Sequence, residues 1–243
     1  MRRLVRCRTW TDPIGYREAL KRQREISGRL MRHVNADDDD DVLDEMLLLE
    51  HDPVYTLGRS ASETSLPPSD STIPIEKVGR GGEITYHGPG QLVMYPILNL
   101  SRTPFKRDIR WYVDRIEEVA IRTLATYGME GRRHPIHTGV WVGEKKLAAI
   151  GISISKWVTM HGMALNVCPD MEPFERIVPC GIEDPGLGVG SISEVASSAT
   201  VAEARERLCA SFSDVFDVDL SACRETMTDE SGDGSACPSG GGG

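Results

Sequence analysis

Val78-Gly79-Arg80-Gly81-Gly82-Glu83-Ile84-Thr85-Tyr86-His87-Gly88-Pro89-Gly90-Gln91-Leu92-Val93-Met94-Tyr95-Pro96 is the stretch on which the reading of this chain turns. It holds five glycines, at 79, 81, 82, 88 and 90, among strand-like residues. Glycine tolerates positive φ and close backbone approach, at a cost of roughly 0.5–1 kcal/mol inside a regular element. Such a cluster beside apolar residues suits a binding surface made of backbone, with Arg80, Thr85, Tyr86 and His87 supplying polar groups. The plainer reading is two glycine-rich turns joining three strands. Neither G-x-x-x-x-G-K-[ST] nor G-x-G-x-x-G between strand and helix is present, so this is no ordinary phosphate loop. Leu92 to Leu98 reads as a buried strand, which sets the glycines at the end of a sheet element, facing a cleft.

Downstream, Ile109, Tyr112, Val113, Ile116, Val119, Ala120, Thr123, Leu124 and Tyr127 recur at helical spacing, with Gly128 as a natural C-cap. Strands follow at 139–142, 147–154 and 157–167, the first two around a Gly143–Lys146 turn, and the third carrying Gly162. A last helix is expected over about 200–216. Upstream, residues 3–10 alternate as a strand, and Asp12-Pro13 opens a helix that ends near Asn35. Residues 35–45 carry seven acids, Asp37 to Asp41, Asp44 and Glu45, and read as an exposed loop because like charges repel. Short strands are expected at 46–49 and 54–59, then a Ser/Thr/Pro loop over 60–74. Residues 1–225 read as a single domain, and the Gly/Ser/acidic tail 226–243 is expected to be disordered. Strands and helices that do not strictly alternate indicate a mixed or α+β domain.

The chain has 243 residues, 40% hydrophobic and 27% charged, as ordinary globular proteins do. Net charge is −9, which disfavours a nucleic-acid binder. No run approaches the roughly 20 apolar residues of a membrane span. The basic start, Met1 to Arg8, lacks an apolar core, so a cytoplasmic protein is expected. The six cysteines contain no C-x-x-C pair, which argues against zinc.

Cys180 stands between Pro179 and Gly181, an unusual setting for a core-filling thiol. A reactive thiol needs a nearby cation or helix N-terminus. Lys146 opens an apolar strand, where a charge must be paired or neutralised, although a snorkelling surface lysine is the commoner case. Lys145, its neighbour, faces the other way by strand alternation. A cysteine and a lysine together make a workable nucleophile and base. His51, His87 and His161 read most simply as hydrogen-bonded core histidines. His134-Pro135-Ile136-His137 is a poor metal motif, because the proline breaks any helix.

In combination these pieces resemble the lipoyl(octanoyl) transferase family. The match is carried by Arg80-Gly81-Gly82 with Thr85-Tyr86-His87-Gly88-Pro89-Gly90-Gln91-Leu92, then Lys146-Leu147-Ala148-Ala149-Ile150-Gly151, His161-Gly162 with Ala164-Leu165-Asn166, and Pro179-Cys180-Gly181, in the family's order. The resemblance implies an α/β (α+β) fold, a mixed sheet flanked by helices as in the catalytic domain of biotin and lipoate protein ligases. It implies an acyltransferase of lipoate biosynthesis that parks octanoyl from octanoyl-acyl carrier protein on Cys180, activated by Lys146. The acyl group then passes to a lysine of lipoyl domains, in 2-oxoacid dehydrogenase E2 subunits and the glycine cleavage H protein. The acyl-binding wall falls on Arg80, Gly81, Gly82, Glu83, Ile84, Thr85, Tyr86, His87, Ala149, Ile150, Gly151, Gly162, Met163 and Ala164. Small residues there leave room for a chain whose burial stabilises by about 0.8 kcal/mol per methylene. No cofactor, metal, nucleic acid or membrane is implied. The alternatives are an ATP-dependent lipoate or biotin ligase of the same fold, which needs no nucleophilic cysteine, and a non-catalytic acyl-binding protein.

Overall fold

A computed structural model describes residues 2–34, 43–61, 66–182 and 184–225. Most of the acidic run, at 35–42, and the tail 226–243 lie outside the described residues. In chain order the elements are β1 (Arg3–Trp10), α1 (Tyr16–Arg32), β2 (Asp44–Leu49), β3 (Val54–Leu57), β4 (Ile75–Lys77), β5 (Ile84–His87), β6 (Gln91–Ile97), α2 (Ile109–Ala125), β7 (Arg132–Arg133), β8 (Val140–Val142), β9 (Lys145–Ser155), β10 (Val158–Asn166), α3 (Glu172–Glu175), β11 (Gly188–Val189), α4 (Val201–Phe216) and β12 (Val218–Glu225).

The main sheet runs β12-β1-β2-β6-β10-β9-β8-β7, with β11 beside β9; a small sheet runs β4-β3-β5. β1 pairs parallel with β2 and β12, whereas β2, β6, β10 and β9 pair antiparallel, so the sheet is mixed. Strand alternation builds two cores from one sheet. Met46, Leu48, Leu92 and Met94 point to the face covered by α2 and α4. Leu47, Leu49, Val93 and Tyr95 point to the face covered by α1. Each helix brings an apolar stripe to this arrangement, such as Tyr112, Ile116, Val119 and Ala120 on α2. The Asp108 and Thr200 side chains cap α2 and α4, accepting from Trp111 N and Glu203 N.

Three expectations need correction. α1 begins at Tyr16 rather than at Pro13, because the chain first runs extended and Ile14 bridges His51. Gly128 does close α2 as expected: at φ 74° its amide donates to Ala125 O at 3.0 Å, and the Met129 amide donates to Leu124 O at 3.2 Å. β12, not foreseen, pairs with β1 along its whole length. Asp44 and Glu45, read as the end of an exposed loop, are fully buried at the start of β2. The arginines of the basic N-terminal segment explain this. Glu45 accepts from Arg8 Nε at 2.5 Å and from Arg29, with Arg6 at 3.7 Å. Asp44 accepts from Arg3 Nε at 2.6 Å and from the Asn99 amide at 2.6 Å. Arg3, Arg6 and Arg8 on β1 and Arg29 on α1 are therefore the partners of the two acids that open β2.

Removing one member of a buried ion cluster strands the others, typically at 3–5 kcal/mol. Glu45→Ala should lower unfolding stability by about 3 kcal/mol, its arginines being partly solvated. Glu18→Ala, which removes the exposed Arg22 pair, should cost less than about 0.5 kcal/mol. Urea unfolding checks both, and equal small losses would contradict the burial argument.

Candidate active site

A cavity of ≈ 200 Å³ lies between the α1 face of the main sheet and the small sheet. Its buried end is walled by Tyr16, Val93, Tyr95, His161 and Ala164, and its rim by Ile136, which is 77% exposed. Cys180 and Lys146, far apart in sequence, both line it, with Arg80, Gly82, Glu83, Thr85, His87, Ala149, Ile150, Gly151, Gly162 and Met163. Three expected wall residues do not. Ile84 and Tyr86 alternate with Thr85 and His87 along β5 and point the other way, into a cluster with Tyr55, Phe174 and Ile177. Gly81 donates its amide to Ile152 O at 2.9 Å, stitching the glycine turn to β9.

The small residues act chiefly by close packing. A Cβ on Gly151 would meet Arg80 Cδ at 2.8 Å, and one on Gly162 would meet Met94 O at 2.2 Å. These glycines let the Arg80 turn lie on β9, and β10 lie tight against β6.

Lys146 is 3% exposed, and its Nζ sits 5.2 Å over the Trp141 ring. Among the described residues no carboxylate pairs with it. Lys145 faces outward and pairs with Glu194. Cys180 occupies a 3₁₀ turn, Pro179–Gly181, at φ 56°, followed by Gly181 at φ 66°. Two successive left-handed residues turn the chain sharply; the first is a non-glycine and therefore strained. Asp184, further along this loop, contacts His137 Nε2 at 2.6 Å, and His137 lines the cavity beside Thr138.

Arg80 is 8% exposed and reaches four acceptors: Gly81 O and Glu83 O at 3.0 Å, Thr56 O at 2.8 Å and Thr56 Oγ1 at 2.7 Å. Burial lowers the pKa of its guanidinium, opposed first by Cys180 and then by Tyr16 and Tyr95. From Thr56 a chain of contacts runs on. Thr56 Oγ1 lies 3.2 Å from His87 Nε2, and His87 Nδ1 lies 2.7 Å from Gln91 Oε1. Gln91 Nε2 donates to Tyr86 O at 3.1 Å and to Asn166 Oδ1 at 2.9 Å. Asn166 Nδ2 donates to Gly190 O at 2.9 Å, and Gly190 N donates to Lys146 O at 3.1 Å. With the Gln91 amide so oriented, Oε1 can only accept, so His87 carries its proton on Nδ1 and accepts a hydrogen bond from the Thr56 hydroxyl at Nε2. His51 is held likewise: Nδ1 donates to Ile14 O at 3.0 Å, and Nε2 accepts from Tyr95 at 2.8 Å.

All three histidines are held neutral. Burial lowers the pKa of His51 and His161 to about 4, and that of His87 well below 6.5. Arg80 adds to the effect at His87 and His161. Among the described residues no group of three His, Cys, Asp or Glu side chains is placed to hold a metal ion.

Sequence reading missed Tyr16, Val93, Tyr95, Ile136, His137, Thr138 and His161 as wall residues. Val93 and Tyr95 were recoverable, since they share one face of β6. Thr56, Gln91 and Asn166 carried another usable signal, as polar residues inside apolar strands.

The lipoyl protein ligase A/B catalytic domain family matches residues 20–213. An octanoyltransferase of Nostoc punctiforme is 48% identical over 207 residues, covering 84% of this chain and 86% of that protein. The chloroplastic octanoyltransferase LIP2p2 of Arabidopsis thaliana is 42% identical over 218 residues, covering 85% and 76%. Among solved structures, a bipartite lipoate protein ligase of Thermoplasma acidophilum superposes with TM-score 0.66 at 17% identity, covering 93% and 87% of the two chains. Lipoate-protein ligase A bound with ATP gives TM-score 0.63 at 17% identity, covering 93% and 89%. The chain has the fold of the lipoate ligases, and it belongs to the lipoyl protein ligase A/B catalytic domain family.

Neutral burial of His51 and His161 has a thermodynamic consequence. Their folded pKa values lie below the free value, so the unfolded chain binds more protons between pH 6.5 and about 4. Stability is full above that window and is lost as pH falls through it. The slope should approach ~1.4 kcal/mol per pH unit for each histidine. Urea unfolding at pH 7.5, 6 and 5 checks this, and a flat profile would contradict the neutral assignment.

Proposed function

We propose that this chain is an octanoyltransferase that moves octanoyl from octanoyl-acyl carrier protein to a lysine of lipoyl domains through an octanoyl-Cys180 thioester. The acceptors are lipoyl domains of 2-oxoacid dehydrogenase E2 subunits and the glycine cleavage H protein. The observation that carries this reading is that Cys180 and Lys146 line one cavity together with the apolar Val93, Ala149, Ile150 and Ala164. The curated relatives named octanoyltransferase support it. The five described cysteines are unbridged, which fits a reducing compartment, and we place the reaction in the cytoplasm.

The Cys180 thiolate attacks the donor thioester carbonyl, and Lys146 as ammonium balances its charge. The tetrahedral intermediate collapses by breaking the bond to the carrier sulfur. The leaving thiolate takes a proton from Lys146 Nζ. The lysine amine of the acceptor then attacks octanoyl-Cys180, gives its proton to the neutral Lys146 amine, and expels the Cys180 thiolate. Lys146 thus ends each turnover as it began. Trp141 under Nζ and the buried alkyl stem hold the amine in place. Gly139, at φ 127°, lies against β9 beside that stem: a Cβ there would meet Ala148 O at 2.4 Å. The octanoyl tail runs past Ala149 and Gly151 towards Ala164. Both carbonyl transfers start from a thioester, so ATP has no step to drive, unlike in the ligases that share the fold.

Arginine keeps the charge of lysine but does not exchange protons near neutral pH. Lys146→Arg should therefore keep Cys180 alkylation by iodoacetamide at neutral pH yet lose acyl transfer by about 10²-fold or more, the range of general acid–base catalysis. Lys146→Ala should lose both, and Lys145→Ala should behave as wild type. Alkylation rate against pH, read beside turnover, tests the assignment. A crippled Lys145→Ala, or a Lys146→Ala that turns over normally, would remove Lys146 from the mechanism.

A further inference from the structure

The acyl-transfer scheme leaves one proton without a base. A lysine side chain in water is an ammonium, with a free pKa of about 10.4. It loses one proton to become a nucleophile and a second when the amide forms. Lys146 takes the second, because it gave only one proton to the carrier sulfur. The first has to pass to another group and then to solvent.

Most titratable groups in the cavity wall are unsuited to that task. Burial holds His161 neutral down to about pH 4, and His87 lower than its ordinary range. Tyr16, pushed up to about 12 by burial, keeps its proton. Glu83 is a carboxylate, a weaker base than an imidazole. His137 differs in place and setting. It lines the cavity beside Ile136 and Thr138, at the rim, with its side chain 13% exposed. Its ring is held from several sides. Nε2 contacts Asp184 Oδ2 at 2.6 Å. The His134 ring stacks on it with centroids 5.1 Å apart, and His134 Nδ1 accepts the His137 amide at 3.1 Å. Trp141, the ring beneath Lys146 Nζ, donates Nε1 to His137 O at 3.2 Å. A carboxylate only accepts, so the neutral His137 ring carries its proton on Nε2 and its lone pair on Nδ1. Among the described residues Nδ1 has no hydrogen-bond partner.

We propose, resting on the octanoyltransferase reading, that His137, oriented by Asp184, is a second catalytic base that takes the first proton of the acceptor ammonium at Nδ1. One ammonium N–H bond breaks and a bond to Nδ1 forms, leaving a neutral amine and an imidazolium whose charge Asp184 balances. The amine attacks octanoyl-Cys180, Lys146 takes the second proton, and Cys180 leaves as thiolate. The imidazolium then gives its Nδ1 proton to water at the rim. One proton is released per amide formed, as conversion of a thioester and an ammonium to an amide and a thiol requires. The two bases are divided by depth: Lys146, 3% exposed, serves the sulfurs, and His137 serves the incoming amine.

The test separates the half-reactions. Octanoyl-Cys180 is formed from octanoyl-acyl carrier protein without acceptor. It is then mixed at neutral pH with lipoyl domain or with hydroxylamine, which is already a free amine there. Loss of the adduct is followed by intact-protein mass spectrometry of quenched samples. His137→Gln and His137→Ala should form the adduct as wild type does. They should discharge it to saturating lipoyl domain about 10²-fold more slowly, with the half-saturating acceptor concentration and the hydroxylamine rate unchanged. Asp184→Asn keeps an acceptor for Nε2 without the charge, and should slow the same step less. Wild-type discharge by either His137 variant, an equal loss with hydroxylamine, a change confined to the half-saturating concentration, or failure of both variants to form the adduct overturns the proposal. Absence of the adduct in wild type would instead sink the octanoyltransferase reading itself, before any variant meets the acceptor.

Discussion

A guanidinium buried without a carboxylate partner among the described residues holds this site together. Arg80 spends its donors on carbonyls and one hydroxyl: Gly81 O, Glu83 O, Thr56 O and Thr56 Oγ1. Burying a charge is costly unless its hydrogen bonds are replaced, so the turn 80–83 is obliged to curl round the guanidinium. That curl presents Gly82, Glu83, Thr85 and His87 to the cavity and presses the turn against Gly151 of β9. A lysine could not replace it, because one ammonium has three donors and Arg80 reaches four acceptors from two nitrogens.

The same interaction sets the direction of every hydrogen bond beyond it. Arg80 donates to Thr56, Thr56 to His87, His87 to Gln91, Gln91 to Asn166, and Asn166 to Gly190 O. Gly190 in turn holds the backbone of Lys146. A neutral His87 is required for this chain, since a doubly protonated ring would oppose the Thr56 hydroxyl. Burial and the charge of Arg80 both keep it neutral. The small sheet and the lysine strand are thereby connected through polar groups whose partners are all internal. In a low-dielectric interior such a network stabilises one arrangement and penalises partial ones. At the rim, by contrast, Ile136 is exposed, and the Cys180 turn is closed by the Gly181 amide donating to Val178 O and the Ile182 amide donating to Pro179 O.

Much of this was legible in the sequence, and the exceptions have physical reasons. The glycine-rich stretch marked the turn around Arg80, and strand alternation separated Lys146 from Lys145. The same alternation, applied to β5, would have excluded Ile84 and Tyr86 from the wall. Asp44 and Glu45 looked like the end of a solvated acidic run because their partners, Arg3, Arg6, Arg8 and Arg29, lie on other elements. Charge pairing across a sheet leaves no local trace. β12, Val-Asp-Leu-Ser-Ala-Cys-Arg-Glu, was recoverable, since Val218, Leu220 and Ala222 alternate with polar residues along a strand that pairs with β1 throughout. His137 and Ile136 reach the cavity through a loop, where periodicity says nothing. Gly151 and Gly162 were read as room for an acyl chain, but Gly151 first lets the Arg80 side chain lie on β9, and Gly162 lets β10 approach the β6 backbone.

The central claim is that Cys180 carries the acyl group between donor and acceptor. Intact-protein mass spectrometry after mixing with octanoyl-acyl carrier protein, without acceptor, tests it most directly. The account predicts one added octanoyl group, mapped to Cys180, labile to hydroxylamine, absent in Cys180→Ser, and discharged when a lipoyl domain is added. Transfer to the lipoyl domain with no such adduct, or an adduct that the acceptor does not discharge, would contradict it. Formation of octanoyl-adenylate from octanoate and ATP would instead place the chain with the ligases that share its fold.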